Sequence, residues 1–153
     1  VLALGRGAVA PGAAGIAAAV ALALFLPQAP VAQAATSGSW HRFDRDRIAE
    51  TVAEGQVVFV DVTADWCLTC KVNKRLVLAA APVADLLAAE DVLAMRADWT
   101  RPDESIAAYL RDNARFGIPF NAVYGPGAPG GIALPEILTD AAVVDALDRA
   151  AGP

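Results

Sequence analysis

Val57-Val58-Phe59-Val60-Asp61-Val62-Thr63-Ala64-Asp65-Trp66-Cys67-Leu68-Thr69-Cys70-Lys71 is the stretch on which the fold turns. Its first half is a β-branched and aromatic run, apolar apart from Asp61, and predicts a central strand buried on both faces. Its second half sets two cysteines three residues apart at the start of a predicted helix. Residues three apart on a helical turn are neighbours, so the two sulfurs can reach bonding distance. Cys67 at the helix start meets unpaired amides and the helix dipole, which both favour a thiolate. Cys70 lies one turn inside, shielded, where it can resolve a mixed disulfide formed on Cys67.

Other chemistries of a cysteine pair fit less well. Cys67 and Cys70 are the only cysteines in the chain. A structural zinc site needs four ligands, and His41 is the lone histidine available to join them. Covalent haem attachment needs a histidine directly after the second cysteine, and Lys71 stands there. A permanent bridge closing so short a loop adds little stability. Copper(I) carriage by the two thiols remains as an alternative, since soft thiolates select that ion. Thiol–disulfide exchange is the leading reading, with no metal and no cofactor beyond the redox-active pair.

Three further places bear on that chemistry. Asp61 precedes Cys67 by six positions inside the apolar run. A buried carboxylate is costly without a role or a partner, and burial raises its pKa, which suits it to take the Cys70 proton. The bland alternative puts Asp61 in solvent at a sheet edge; flanking Val58, Phe59, Val60 and Val62 favour burial. Gly117-Ile118-Pro119-Phe120 sets a proline before a predicted strand, which marks a special turn. A cis Ile118–Pro119 bond would set a backbone edge beside Cys67 for a partner's extended chain, but cis is rare among such bonds and the sequence leaves it open. Trp66 is expected to pack beside the motif and shield its sulfurs. Lys71, Lys74 and Arg75 occupy the first helical turns, and all but Lys71 read as a solvated face. Trp40 and Trp99 read as core or surface anchors, and His41 as a surface residue.

Working outward, Asp44 is a candidate helix cap with a Phe43–Ile48 staple, and Gly55 stops that helix. A helix is predicted from Cys67 to Ala80, broken or restarted at Pro82. A strand follows over Asp91–Ala97, then a helix over Pro102–Asn113 with proline near its first turn. Phe120–Tyr124 is a strand, Gly125–Gly131 a turn-rich stretch, and Ile132–Leu134 a short last strand. Thr139 caps a final helix, Asp140–Ala151, with Gly152 after it. This order predicts an α/β fold with a mixed sheet covered by helices on both faces.

The 153 residues are 56% hydrophobic, and the excess lies at the N-terminus. Residues 1–35 carry one charge, Arg6. Setting Arg6 aside leaves 11 basic against 17 acidic residues, a balance that argues against a nucleic-acid partner. Ala13–Leu26 is unbroken apolar sequence, and a looser run from Ala8 just reaches the ~20 residues of a transmembrane helix. A cleaved signal is the rival, with Arg6 as its charged end and a cleavage site at Ala32-Gln33-Ala34. Val1 in place of Met points to a piece of a longer or processed chain and favours the helix. The expected organisation is a transmembrane or signal-like segment over residues 1–35 that runs into a linker, then one folded domain over residues 36–153.

Val60 to Lys71 resembles the thioredoxin-like C-terminal domain of the DsbD family of transmembrane thiol–disulfide interchange proteins. Arg96-Ala97-Asp98-Trp99-Thr100, Gly117-Ile118-Pro119 and Leu134-Pro135-Glu136-Ile137-Leu138-Thr139 resemble it in the same order, so the likeness covers about Trp40 to Ala150. The resemblance implies a thioredoxin-like fold, with Cys67 as exposed nucleophile and Cys70 as resolving thiol. It makes Asp61 the acidic residue that tunes the pair, and Pro119 a cis-proline. It further implies a protein-disulfide reductase tethered in the bacterial inner membrane, with this domain in the periplasm. Electrons would come from a membrane-embedded dithiol domain and pass to periplasmic disulfide-containing proteins. A secreted thioredoxin-like protein is the alternative within redox chemistry.

One position departs from the family pattern. An acidic residue often stands four places after the second cysteine, and here it is Lys74. A cation there favours the Cys67 thiolate. Titrating Cys67 alkylation in Lys74→Glu is expected to give a higher thiol pKa than the unsubstituted protein; an unchanged or lower pKa contradicts the reading.

Overall fold

The computed structural model describes residues 40–152. The apolar segment and linker predicted before Trp40 lie outside them. Among the described residues, no helix is long and apolar enough to cross a membrane. The elements run β1 (His41–Arg42), α1 (Arg45–Ala53), β2 (Val57–Thr63), α2 (Leu68–Asn73), a π-helical turn (Lys74–Leu78), α3 (Val83–Leu87), β3 (Val92–Asp98), α4 (Glu104–Asp112), β4 (Phe120–Gly125), β5 (Ala128–Ala133) and α5 (Asp140–Ala151).

The sheet order is β1-β3-β2-β4-β5, which puts β2 at the centre. β1 and β2 both run parallel to β3, while β4 runs antiparallel to β2 and β5. All seven residues of β2 are buried, as its apolar run predicts. Its side chains alternate between two cores. Val58, Val60 and Val62 pack with Met95, Ile106 and Leu110, on the side covered by α1 and α4. Val57 and Phe59 pack with Leu78, Val83, Leu138, Val143 and Leu147, on the side of the π turn, α3 and α5. The mixed sheet with helices on both faces is the expected architecture.

Local capping follows the sequence closely. Asp44 accepts a hydrogen bond from the Asp46 amide at 3.1 Å. Thr139 accepts one from Ala142 at 3.2 Å, relieving helix-start amides that otherwise lack partners. Gly55 follows α1 at φ +87°, a conformation that glycine adopts without a Cβ penalty. Phe43 packs in the same cluster as Ile48.

Three local expectations need correction. The helix expected over Cys67–Ala80 is α-helical only to Asn73, then widens to a π turn in which the Ala79 amide reaches back to Lys74 at 2.9 Å. The restart at Pro82 is as expected: Pro82 caps a short new helix, after a cis Ala81–Pro82 bond. Pro102 stands outside α4, because the Asp103 carboxylate captures the Ser105 and Ile106 amides and makes Glu104 the first helical residue, two positions later. The turn expected over Gly125–Gly131 is confined to its beginning, since β5 starts at Ala128. β5 is an edge strand, the position in a sheet that tolerates Pro129. The two-residue β1 was not anticipated; two residues carry no readable alternation.

Gly125 ends β4 against the last turn of α5, where a Cβ would run into the Ala150 carbonyl. Gly125→Ala is expected to cost about 1–3 kcal/mol by overpacking a backbone that cannot retreat. A urea unfolding midpoint equal to that of the unsubstituted protein contradicts this.

Candidate active site

The site forms where β2 ends and feeds α2. Ala64 to Trp66 make the turn, held by the Cys67 amide donating to the Ala64 carbonyl at 3.1 Å. The Asp65 amide donates to Thr100 Oγ1 at 2.9 Å, which ties the turn to the end of β3. Cys67 is the N-cap of α2, with extended backbone, and its sulfur accepts the Cys70 amide at 3.1 Å. Cys67 and Cys70 form a disulfide with an S–S distance of 2.03 Å and Cα atoms 5.3 Å apart. A sulfur that caps a helix sits where negative charge is stabilised, so this geometry favours the Cys67 thiolate once the bond is reduced.

Cys67 is 6% exposed and Cys70 1%. The order of accessibility matches the expectation, but Cys67 is far less open than an exposed nucleophile. Ala64 and Ile118 are the residues packed against the pair. Trp66 does not shield the sulfurs as expected; it is 63% exposed. Ile118–Pro119 is a cis peptide, and Ile118 packs against the cluster formed by Ala64, Cys67 and Cys70. Lys71 and Arg75 are exposed. His41 is an exposed residue of β1. Among the described residues no group of three or more His, Cys, Asp or Glu is placed to hold a metal ion.

Asp61 is buried, not at a sheet edge, and is 2% exposed. The register explains its company. Its cross-strand neighbours are Arg96 on β3 and Asn121 on β4. Arg96 Nε donates to Asp61 Oδ2 at 3.1 Å, and Asn121 Nδ2 donates to Asp61 Oδ1 at 3.1 Å. Burial pushes the Asp61 carboxyl above its usual range, and Arg96, Asn121 and the Lys74 charge pull it part of the way back. Lys74 thus acts on Asp61 as well as being near the thiol pair in sequence. Asn121 Oδ1 and Thr63 Oγ1 are buried without a hydrogen-bond partner among the described residues.

Sequence reasoning missed three contributors. Arg96 and Asn121 meet Asp61 only through strand pairing. Asn73 on α2 is buried, donates to the Glu136 carbonyl at 2.8 Å and accepts from the Leu138 amide at 3.1 Å. It pins the Leu134–Leu138 loop to the site helix. An asparagine beside Lys71, Lys74 and Arg75 gave no sign of this. Leu68, Phe116 and Ile137 are exposed apolar residues on α2, on the segment before Ile118 and on the Leu134–Leu138 loop.

A thioredoxin-like family matches residues 39–126, more than half of the chain, and the chain belongs to that family. Among particular relatives, the thiol:disulfide interchange protein DsbD of Ralstonia nicotianae is 35% identical over 74 residues. That match covers 48% of this chain and 12% of the relative's length. The DsbD C-terminal domain of Neisseria meningitidis in its oxidised form superposes with a TM-score of 0.54 at 20% identity, covering 69% of this chain and 90% of that one. A thioredoxin from Thermus thermophilus gives 0.55 at 19% identity, covering 72% and 86%. At such identities the two structures speak for the fold, which is thioredoxin-like.

The Asp61 carboxyl has a testable signature in stability. Its folded pKa lies above the ordinary value of 3.8, so the native state holds that proton more tightly than the unfolded chain does. Its contribution is fully present below the unfolded pKa and is lost as pH rises through the raised folded one. Asp61→Asn lacks this dependence. Urea titrations from acid to mildly alkaline pH should find the unsubstituted protein losing stability relative to Asp61→Asn as pH rises. A constant difference across that range contradicts the assignment.

Proposed function

We propose that this domain is a thiol–disulfide oxidoreductase acting as a protein-disulfide reductase. The observation that carries the reading is the Cys67–Cys70 bond at the head of α2, with the Cys70 amide aimed at the Cys67 sulfur. In the reduced form the Cys67 thiolate attacks one sulfur of a partner's disulfide. The partner's S–S bond breaks, a Cys67–partner bond forms, and the other partner sulfur leaves as a thiolate. Cys70 gives its proton to the Asp61 carboxylate and attacks the Cys67 sulfur, releasing the second partner thiolate. Cys67 and Cys70 end as a disulfide, and the partner has gained two electrons. The Asp61 proton and one from solvent complete its two thiols.

A dithiol donor restores the cysteines by the same exchange run in reverse. Resemblance to the DsbD family supports a membrane-embedded dithiol domain as that donor and periplasmic disulfide-containing proteins as acceptors. Residues 1–35 then tether the domain of residues 36–153 to the bacterial inner membrane, on its periplasmic side. Trp66, Ile118 and Pro119 receive the partner's extended chain beside Cys67, and Leu68, Phe116 and Ile137 widen that apolar collar.

Equilibration of the pair against a glutathione series tests the direction of electron flow. The expected potential lies below about −200 mV, and a value near the roughly −120 mV of a strong oxidant reverses the direction. Cys67→Ser is expected to abolish insulin reduction; activity that survives it contradicts the exchange mechanism.

A further inference from the structure

Arg96 is held from two sides. Its Nε donates to Asp61 at 3.1 Å, while its guanidinium carbon lies 3.9 Å from the centre of the Trp40 ring. Trp40 is itself fixed by an edge-on contact with Phe59, ring centres 6.1 Å apart. The backbone repeats the grip, because Arg42 pairs in register with Arg96 and the Phe43 amide donates to the Arg96 carbonyl at 3.0 Å. β1 is only two residues long, and β3 is the strand it pairs with.

Such a grip matters because Arg96 has somewhere else to go. Its side chain is 33% exposed. Asp98 stands two residues further along β3, on the same face, and its carboxylate also feels Arg96 and Lys74. The groups facing Asp61 are Arg96 from β3, Lys74 from the π turn and the neutral Asn121 amide from β4. A long arginine side chain carries much rotamer freedom, and a flat aromatic ring under the guanidinium removes it while leaving the Nε edge free to donate.

We propose that Trp40 is a positioning residue for thiol–disulfide exchange: its ring holds the Arg96 guanidinium on Asp61, the group that takes the Cys70 proton. This rests on the exchange mechanism proposed above. Without the ring Arg96 divides its time between Asp61, Asp98 and water. Asp61 then holds its proton to higher pH and is a poorer acceptor near neutrality.

The test follows the reaction of the reduced protein with a chromogenic aromatic disulfide by stopped flow, across acid to alkaline pH. The second release of aromatic thiol reports the Cys70 attack. Arg96→Gln is expected to move the midpoint of that phase to higher pH. Trp40→Leu, which keeps apolar contact with Phe59, should move it the same way by about half a unit, roughly a threefold loss of rate on the acid limb. Trp40→Phe should restore most of the original profile, and Trp40→Leu should add nothing to Arg96→Gln. A Trp40→Leu midpoint unchanged from the original, or a further shift in the Arg96→Gln background, overturns the proposal. Asp61→Asn separates the two readings. If it abolishes the step while Trp40→Leu leaves it in place, only the role of Trp40 fails. If the step survives in Asp61→Asn, the proton acceptor is wrong and both fall.

Discussion

Burial of β2 on both faces is the constraint from which the rest of this structure follows. A strand with a neighbour on each edge and a helical layer on each face leaves no solvent for its polar side chains. Asp61 sits inside it, and its carboxylate must be satisfied by residues that strand pairing delivers. Arg96 and Asn121 do this from opposite sides. They do not cancel the cost of burial, so the carboxyl stays raised above its usual range. Ion pairing tethers the group; desolvation sets its titration.

The same strand determines where the cysteines lie. β2 ends at Thr63, the chain turns over Ala64–Trp66, and α2 begins with Cys67 as its cap. The helix start therefore faces the end of the sheet at which β4 begins, and Ile118 of the cis Ile118–Pro119 bond before β4 packs against the cluster that holds both cysteines. Thr100 anchors the turn from β3, while Asn73 anchors the Leu134–Leu138 loop. The ends of β2 and β3 and the start of β4 thus lie at the end of the sheet that carries the bond.

The edge of the sheet also touches a partner of Asp61. β1 contributes little to the core, yet it pairs with Arg96, and Trp40 just before it lays its ring against the Arg96 guanidinium. Arg96 therefore links the edge of the sheet to a carboxylate on the central strand, because its side chain touches both. Lys74 reaches the same carboxylate from the π turn. Its place in the sequence suggested an effect on Cys67 alone.

Much of this was legible in the residues themselves. The apolar run of β2, the Asp44 and Thr139 caps and the stop at Gly55 are local, and a strand or helix end can be read from a few neighbouring side chains. The cysteine spacing likewise determined that the sulfurs could bond, since one helical turn brings them together. The partners of Asp61 were different. Arg96 and Asn121 are 35 and 60 residues away in sequence, and only parallel and antiparallel register puts them across from it. The openness of Trp66, the limited access to Cys67 and the π turn also waited on packing, because burial belongs to a whole arrangement of elements and not to any one segment. The sequence by itself determined which groups could react. The tertiary structure decided which charges surround them, because an electrostatic field acts through space and pays no regard to position along the chain.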